Sequence, residues 1–480
     1  MTRSKPAATE RSITGADFLQ LSMADAPAGR RSAWLAGRLR AAIADGRLPV
    51  GSRLPATRVL ALELQVSRGV VTEAYQRLVE DGHVAGRGRA GTVVVAAPVT
   101  SLATPQPEVG SPFAGTPDVD VFDTLRATPA RLDLTPGVPD LAAFPRTAWL
   151  RAERAVLGSL SAADLGYGDP RGTSALRQAV ADWLARNRGV RASPDEVVIT
   201  AGVSQALGLL TQVLGVPEIA VEDPGSLGTR QHLRNWGVAT PPVPVDADGL
   251  VVPALRAPAV LVTPAHQFPT GVVLSGERRR ALLAWAAGGG VVIEDDYDAE
   301  HRYDRAPVPA LRSMLPAVCY AGSVSKLLAP ALRLGWLVVP PGLLPAVVAA
   351  KRNADLGNGV LAQYVLARLM SSGVLEQQLR FLRARHRRRR DAMMASVRSF
   401  LPRAAVHGAA AGLHLMVTFE GSFSDVAVAE AVLGRGVKVQ PLSWHRQGPG
   451  VPGLVMGYAA RTVSEISEAV SVVGSVLREF

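Results

Sequence analysis

Between about residues 132 and 340 this chain repeats one pattern, a short run of apolar residues followed by a helical stretch. The runs fall at 196–200, 218–222, 259–263, 290–294, 318–321 and 335–339. None alternates apolar with polar residues, so each reads as a strand buried on both faces. Such strands, separated by helices, specify an α/β fold with a mostly parallel sheet covered on either side. Residues 370–480 mix helical patterns with the strand-like runs 413–419 and 454–457 and read as a small α+β subdomain.

At 480 residues the chain exceeds one ordinary domain. No apolar run approaches the ~20 residues that span a bilayer. The polar N-terminus leads into no apolar signal segment, so a cytoplasmic protein with no membrane partner is expected. The single cysteine, Cys319, excludes an intrachain disulfide and a Cys-rich zinc site, and no metal is expected. It lies in an apolar run and reads as a buried, inert thiol. A net charge of +11 favours a polyanionic partner. The first 97 residues hold 14 Lys/Arg against 8 Asp/Glu, net +6. Seven arginines crowd residues 380–390 (Arg380, Arg383, Arg385 and Arg387 to Arg390) and are expected to form a solvated helix face.

Residues 1–27 read as a flexible arm. A helical pattern then opens at Ser32, a candidate cap, with Leu35, Leu39, Ala42 and Ile43 on one face. A second short helix follows Pro55, and Ser67 caps a third that carries Val71, Ala74, Tyr75 and Leu78. Two short strands then flank a basic glycine-rich turn holding Arg87, Arg89, Ala90 and Gly91. Three helices and a two-stranded wing over residues 28–97 describe a winged helix-turn-helix. Its third helix would present Ser67, Arg68 and Gly69 at the end that enters the major groove. Arg58 suits a phosphate contact, and Arg87 and Arg89 suit phosphates or the minor groove. Residues 98–131 carry six prolines and read as a tether, leaving 132–480 as the body.

In the body, Lys326 follows an apolar strand, with Ser323 and Ser325 before it and Arg333 after it. An imine with pyridoxal phosphate needs such a lysine. It also needs a carboxylate for the pyridine nitrogen, a phenol for the ring oxygen, and a phosphate cradle of amides, hydroxyls and arginine. Asp295, Asp296 and Tyr297 end another strand, where open α/β sheets bind ligands. From the residues alone, either aspartate could serve the ring nitrogen. Gly202, Val203 and Ser204 join a strand to a helix and offer a phosphate nest.

The stretch Asp45-Gly-Arg-Leu-Pro-Val-Gly51-Ser-Arg-Leu-Pro55-Ala-Thr-Arg58, continued by Val66-Ser-Arg68 and Thr72-Glu-Ala-Tyr75, strongly resembles the GntR-type winged-helix domain. That resemblance implies DNA contacts from Arg58, Ser67, Arg68, Thr72 and the wing residues Arg87, Gly91 and Thr92. Gly69 and Ala90 depart from the usual pattern, so no base preference carries over. The body resembles fold-type I aminotransferases, specifically the aminotransferase-like half of MocR/PdxR-type regulators. The residues that carry it are Gly166-Tyr167-Gly-Asp-Pro170, Glu222-Asp-Pro-Gly225, Thr263-Pro-Ala-His266-Gln-Phe-Pro-Thr-Gly271, Glu294-Asp-Asp-Tyr297 and the lysine segment. The resemblance implies that Lys326 forms the imine, Asp295 serves the pyridine nitrogen and Tyr297 the ring oxygen. It implies that Ser323 and Arg333 hold the phosphate with the backbone of 202–204. Tyr167 would reach a second subunit's site, which implies a homodimer. Two departures stand out. Ser226 replaces a ring-stacking tyrosine, and Leu454-Val455-Met456 stands where amino-acid-binding relatives place an arginine.

The expected protein is therefore a transcriptional regulator that binds pyridoxal phosphate and double-stranded promoter or operator DNA. Its effector would be pyridoxal phosphate or a related amine or amino acid, its targets vitamin B6 metabolism genes, and its turnover absent or vestigial. Two alternatives are a true aminotransferase with a DNA-binding appendage, and a DNA-binding protein whose body only dimerises.

Overall fold

The computed structural model describes residues 21–27, 29–88, 91–96, 111–117, 119–304 and 308–480. The chain divides into two compact units, Met1–Glu108 and Val109–Phe480.

In the first unit, helices α1 (Arg31–Ala44), α2 (Thr57–Glu63) and α3 (Arg68–Glu80) precede strands β1 (Val84–Gly86) and β2 (Thr92–Val94). The strands pair antiparallel as the expected wing. The helical faces read from the sequence meet in one core: Leu35, Leu39 and Ile43 of α1, Leu60 of α2, and Val71, Ala74 and Leu78 of α3. Each such side chain contributes roughly 1.5–3 kcal/mol on burial. Tyr75 extends the core and donates its hydroxyl to Pro55 O at 2.8 Å, which ties α3 to the loop before α2. Ser32 is not the cap of α1. The helix begins at Arg31 behind Arg30, with no side-chain cap.

The second unit opens with α4 (Val121–Ala127), β3 (Leu132–Asp133), α5 (Arg146–Leu157) and α6 (Ser174–Arg188). Next come β4 (Val197–Thr200), α7 (Val203–Leu214), β5 (Ala220–Asp223), α8 (Leu227–Asn235), β6 (Pro242–Asp246) and β7 (Gly249–Leu250). Then follow β8 (Ala259–Val262), α9 (Gly276–Ala287), β9 (Val291–Asp296), β10 (Cys319–Ser323) and β11 (Gly335–Val338). These strands form one eight-stranded sheet in the order β4-β11-β10-β9-β8-β5-β6-β7. Neighbours from β10 across to β6 are parallel, whereas β11 runs antiparallel to both β10 and β4. The reversal is local: no helix crosses over between β10 and β11, and a parallel return needs such a crossover. β4, β8, β10 and β11 are buried along their whole lengths, as continuous apolar runs require. Cys319 is one of these residues, and burial pushes its thiol up to about 12. At pH 7 it is an inert thiol.

Helices α10 (Leu344–Asp355), α11 (Val360–Ser371) and α12 (Val374–Phe400) lead to β12 (Ala405–His407), β13 (His414–Thr418) and α13 (Asp425–Gly434). Strands β14 (Val437–Lys438), β15 (Gln440–Pro441) and β16 (Gly453–Gly457) and helix α14 (Val463–Leu477) end the chain. A four-stranded sheet, β12-β13-β16-β15, forms the C-terminal subdomain, and β14 pairs separately with β3.

Two expectations need correction here. The proline-rich stretch 98–131 is not a tether to its end. Phe113, Val121 and Leu125 are buried in the core of the C-terminal subdomain, because α4 offers apolar residues four apart on one face. Residues 97–110 lie outside the described residues. The arginine run on α12 is not simply a solvated face either. Arg385 and Arg389 both bond the buried Asp140, at 2.8 and 2.7 Å. Arg383 bonds Glu300 O, Arg387 bonds Tyr303 O and Arg390 bonds Ala409 O. A planar guanidinium on a long apolar stem can reach past the helix surface into neighbouring loops, so the run ties α12 to the loops around the sheet edge. Arg380 and Arg388 remain exposed.

Candidate cofactor pocket and DNA-contact surface

Strand direction decides where the chemistry gathers. β4, β5, β8, β9 and β10 all end at one edge of the sheet, where open α/β folds bind ligands, and the reversed β11 begins there. Register places Ser323 opposite Gly335 and Gly335 opposite Thr200. Lys326 after β10, Arg333 before β11 and the turn after β4 therefore converge. A cavity of about 860 Å³ lies at this edge, and Val203, Ser204, Asp295, Tyr297, Ser323, Ser325, Lys326 and Arg333 all line it.

Lys326 donates its Nζ hydrogen to Gly137 O. Gly137 has φ 83°, and a Cβ there would sit 3.1 Å from that nitrogen, so glycine makes room for the amine. Burial lowers the amine's pKa, opposed by the charges of Asp298 and Asp295. A neutral amine is the nucleophilic form.

Successive residues of a strand face opposite ways, and this separates the two aspartates. Asp296 turns from the cavity, accepting from Arg188 Nε at 2.5 Å and Tyr320 Oη at 2.6 Å. Asp295 lines the cavity, and its Oδ1 has no hydrogen-bond partner among the described residues. Burial, and then the charge of Asp296, pushes its pKa up to about 7. An unpartnered buried carboxylate oxygen suits the N–H of a protonated pyridine. The Tyr297 hydroxyl lies 3.0 Å from His266 Nδ1.

The phosphate end is built from backbone and arginine. Gly202, at φ 86°, turns the chain into α7, so the first amides of the helix, at Val203 and Ser204, point out without carbonyls to meet them. Arg333, itself left-handed at φ 50°, donates to Ala201 O. A Cβ on Gly202 would lie 3.3 Å from its guanidinium. Ser323 Oγ accepts from Ser325 N at 3.3 Å. Amides, hydroxyls and an arginine at one helix start match a phosphate monoester.

Tyr167 is not part of this chain's cavity and stands 96% exposed. Ser226 lines the cavity and caps α8, its Oγ accepting from Thr229 N at 3.2 Å, which accounts for a serine there. Sequence reasoning assigned no role to several residues that the fold brings to the site. His266 and Asp298 sit behind Tyr297, while His445, Gln440 and Phe122 line the cavity from other elements. For Phe122 the apolar spacing of Val121 and Leu125 was available, masked by the surrounding prolines.

In the first unit Arg58, Ser67, Arg68, Gly69 and Thr72 are all exposed at the start of α2 and the start of α3. Arg68 Nε donates to Thr57 Oγ1 at 3.3 Å, and Thr72 Oγ1 donates to Arg68 O at 2.9 Å. On the wing Arg87 and Gly91 are exposed and Thr92 is half-buried, with Arg87 N donating to Gly91 O at 2.8 Å across the turn. Arg89 and Ala90 lie outside the described residues. Arg53, which sequence reasoning passed over, lies beside the wing, its Cδ 3.5 Å from where a Gly91 Cβ would be.

Residues 132–473 match the family described as aminotransferase class I and II, and residues 32–94 match the gntR family of bacterial regulatory proteins. The chain is 33% identical over 453 residues to the HTH-type pyridoxine biosynthesis transcriptional regulator PdxR of Corynebacterium glutamicum, spanning 91% of this chain and 95% of that protein. It is 32% identical over 475 residues to the probable rhizopine catabolism regulatory protein MocR of Rhizobium meliloti, covering 93% of each. The chain belongs to the PdxR/MocR-type family of GntR regulators. Among solved structures, a kynurenine aminotransferase of Pyrococcus horikoshii in complex with PMP superposes with a TM-score of 0.69 at 25% identity, covering 75% of this chain and 93% of that one. A multiple substrate aminotransferase from Thermococcus profundus gives a TM-score of 0.70 at 25% identity, covering 76% and 95%. As a member of this family the protein is a DNA-binding transcriptional regulator, and pyridoxal phosphate is the cofactor of its aminotransferase-like body. Among the described residues no helix is long and apolar enough to cross a membrane.

A first prediction follows from Asp295. Its pKa near 7 lies above the ordinary carboxyl value, so the folded state holds that proton more tightly than the unfolded chain. The associated stability is present at low pH and is lost as pH rises from about 4 through about 7. Melting of the cofactor-free protein should therefore fall with pH across this window more steeply than in Asp295→Asn, by several degrees in total. Parallel curves for the two proteins would contradict it.

Proposed function

We propose that this regulator senses pyridoxal phosphate itself, and that the loaded pocket changes the grip of a homodimer on operator DNA, with vitamin B6 metabolism genes as targets. One observation carries the choice of effector. The position where amino-acid-binding relatives carry a carboxylate-binding arginine is filled by Leu454, Val455 and Met456, all fully buried in β16. Arg461 does not replace it, since its Nε bonds Asp133 O at 3.1 Å. Among the described residues, the one arginine or lysine lining the cavity besides Lys326 and Arg333 is Arg126, which is exposed and paired with Asp123. Burying a carboxylate without a cation costs several kcal/mol. Pyridoxal phosphate has no carboxylate to place.

When bound, the cofactor supplies an aldehyde for the lysine amine and a ring that withdraws electrons once its nitrogen is protonated. The residues of the chain divide the work of holding it. Lys326 is the covalent anchor, Asp295 keeps a proton on the ring nitrogen, and Tyr297 meets the ring oxygen. Ser323, Ser325, Arg333 and the amides after Gly202 take the phosphate. Tyr167, exposed and remote from this chain's own cavity, suits a second copy's pocket in a C2 dimer. A cytoplasmic location accords with a DNA-binding partner.

The route from pocket to head begins at α4. Val119, Phe122, Asp123, Leu125 and Arg126 wall the cavity, and the chain before them leads back to the DNA-binding unit. Phe122 packs edge-on to Trp444 at 6.1 Å and over Gly228, where a Cβ would come within 3.4 Å of its ring. Allosteric couplings of this kind are typically 1–3 kcal/mol, roughly a 5- to 150-fold change in affinity. Gel shifts on the neighbouring promoter, with and without pyridoxal phosphate, should show a change of that size, and amino acids should produce none. Phe122→Ala should bring the ratio close to one. A response to an amino acid but not to pyridoxal phosphate would sink the effector assignment.

A further inference from the structure

We propose that His266 is the positioning residue for Tyr297, giving Asp298 a donor of its own so that the phenol hydrogen can leave Asp298 for the cavity. The proposal deepens the reading of Tyr297 as the partner of the cofactor's ring oxygen and rests on it. His266 and Asp298 are each 1% exposed beneath the cavity wall. His266 Nδ1 lies 3.0 Å from Tyr297 Oη, and 3.0 and 3.2 Å from the two oxygens of Asp298. Its Nε2 has no hydrogen-bond partner among the described residues. The two acceptors beside Nδ1 and none beside Nε2 place the ring hydrogen on Nδ1.

The imidazole is seated by glycines. A Cβ at Gly412 would fall 2.0 Å from its Cε1, and one at Gly271 would fall 3.1 Å from its Nε2. Its ring also packs 5.3 Å from that of His414. Charges reaching this cluster come from Lys326, Asp295, Glu222 and His301.

Asp298 has two side-chain donors close by, the His266 Nδ1–H and the Tyr297 hydroxyl, which also bonds it. A buried carboxylate left with one donor binds that donor tightly. Without Nδ1–H, Asp298 would hold the phenol hydrogen as its one side-chain donor and keep it from the cavity. With Nδ1–H in place, Asp298 keeps a donor when the phenol hydrogen leaves it for the ring oxygen.

The test is a pH titration of bound-cofactor absorbance in the full-length, cofactor-loaded protein. A donor to the anionic ring oxygen lowers its proton affinity, so losing that donor moves the midpoint upward. His266→Leu is expected to raise the midpoint by about one pH unit, in the same direction as Tyr297→Phe. His266→Asn puts an amide N–H near the Nδ1 position and is expected to keep the wild-type midpoint. Asp298→Asn removes the charge that makes this residue a strong competing acceptor and is expected to leave the midpoint unchanged or lowered. A folded His266→Leu protein with a wild-type midpoint would overturn the proposal. So would equal rises in His266→Leu and His266→Asn, or a rise in Asp298→Asn. Thermal melts and operator binding identify a misfolded variant, and if His266→Leu does not fold, the Asn and Asp298 variants decide. Imine absorbance that persists in Lys326→Ala would instead overturn the cofactor reading beneath the proposal.

Discussion

Replacing Lys326 with alanine is expected to remove the imine absorbance of the pyridoxal phosphate-loaded protein completely, together with the cofactor-dependent change in operator affinity. The side chain is the amine of the cavity, half-buried and bonded to Gly137 O, in a cavity that Asp295 and Tyr297 also line. Among the described residues no other lysine lines the cavity, so none of them can take over the covalent link. The phosphate cradle of Ser323, Ser325, Arg333 and the first amides of α7 remains in the variant. Weak, non-covalent binding with the spectrum of the free aldehyde should therefore persist and be displaced by inorganic phosphate. Absorbance spectra and equilibrium dialysis separate these outcomes. A wild-type protein that stays colourless after reconstitution would overturn the whole assignment.

The second large effect belongs to the other unit. Arg68→Glu is expected to weaken operator binding by about two orders of magnitude while leaving the chromophore unchanged. Arg68 is the first residue of α3, exposed at the helix start, with Nε 3.3 Å from Thr57 Oγ1. A bidentate arginine–guanine contact is worth about 1–3 kcal/mol. A carboxylate in its place adds repulsion from the phosphates on top of that loss. The buried core of the unit lies on the opposite faces of its helices and is untouched. Fluorescence anisotropy with labelled operator measures the first effect, and the absorbance spectrum of the same sample checks the second. Undiminished binding would show that the groove is read by other residues.

The two experiments probe separate parts of one chain, and their independence bears on the alternatives. A true aminotransferase with an appendage would keep its chemistry in Arg68→Glu and would also turn over amino acids steadily. A body that only dimerises would bind operator identically with Lys326 or alanine. The apolar Leu454-Val455-Met456 run weighs against the first, because an amino-acid substrate would bury its carboxylate beside hydrocarbon.

How much of the site could be read in advance depended on whether each residue's role is local in sequence. Lys326, Ser323, Ser325 and Arg333 lie within eleven residues, and their types alone suggest an amine beside a phosphate. Gly202 shows itself as a strand-to-helix turn. Asp295 and Asp296 are chemically alike, and only the pleat of β9 sends one to the cavity and the other to Arg188 and Tyr320. His266 and Asp298 are 32 residues apart, and nothing in either segment shows that they share a hydrogen bond. The arginines of α12 misled for a related reason. A run of charge normally marks solvent, yet here the partners are a single buried aspartate and several backbone carbonyls in distant loops.

What the residues determined unaided was the architecture and the cofactor chemistry: apolar strand runs between helices, a basic helical head, and an amine, acid, phenol and phosphate nest at strand ends. These follow from hydrophobic periodicity and side-chain type, which are properties of short segments. Tertiary structure alone decided which aspartate faces the pocket, that α4 walls it, and that His266 stands behind the phenol. Those outcomes depend on register, strand direction and long-range packing, and such distances exist only once the sheet has closed its edge.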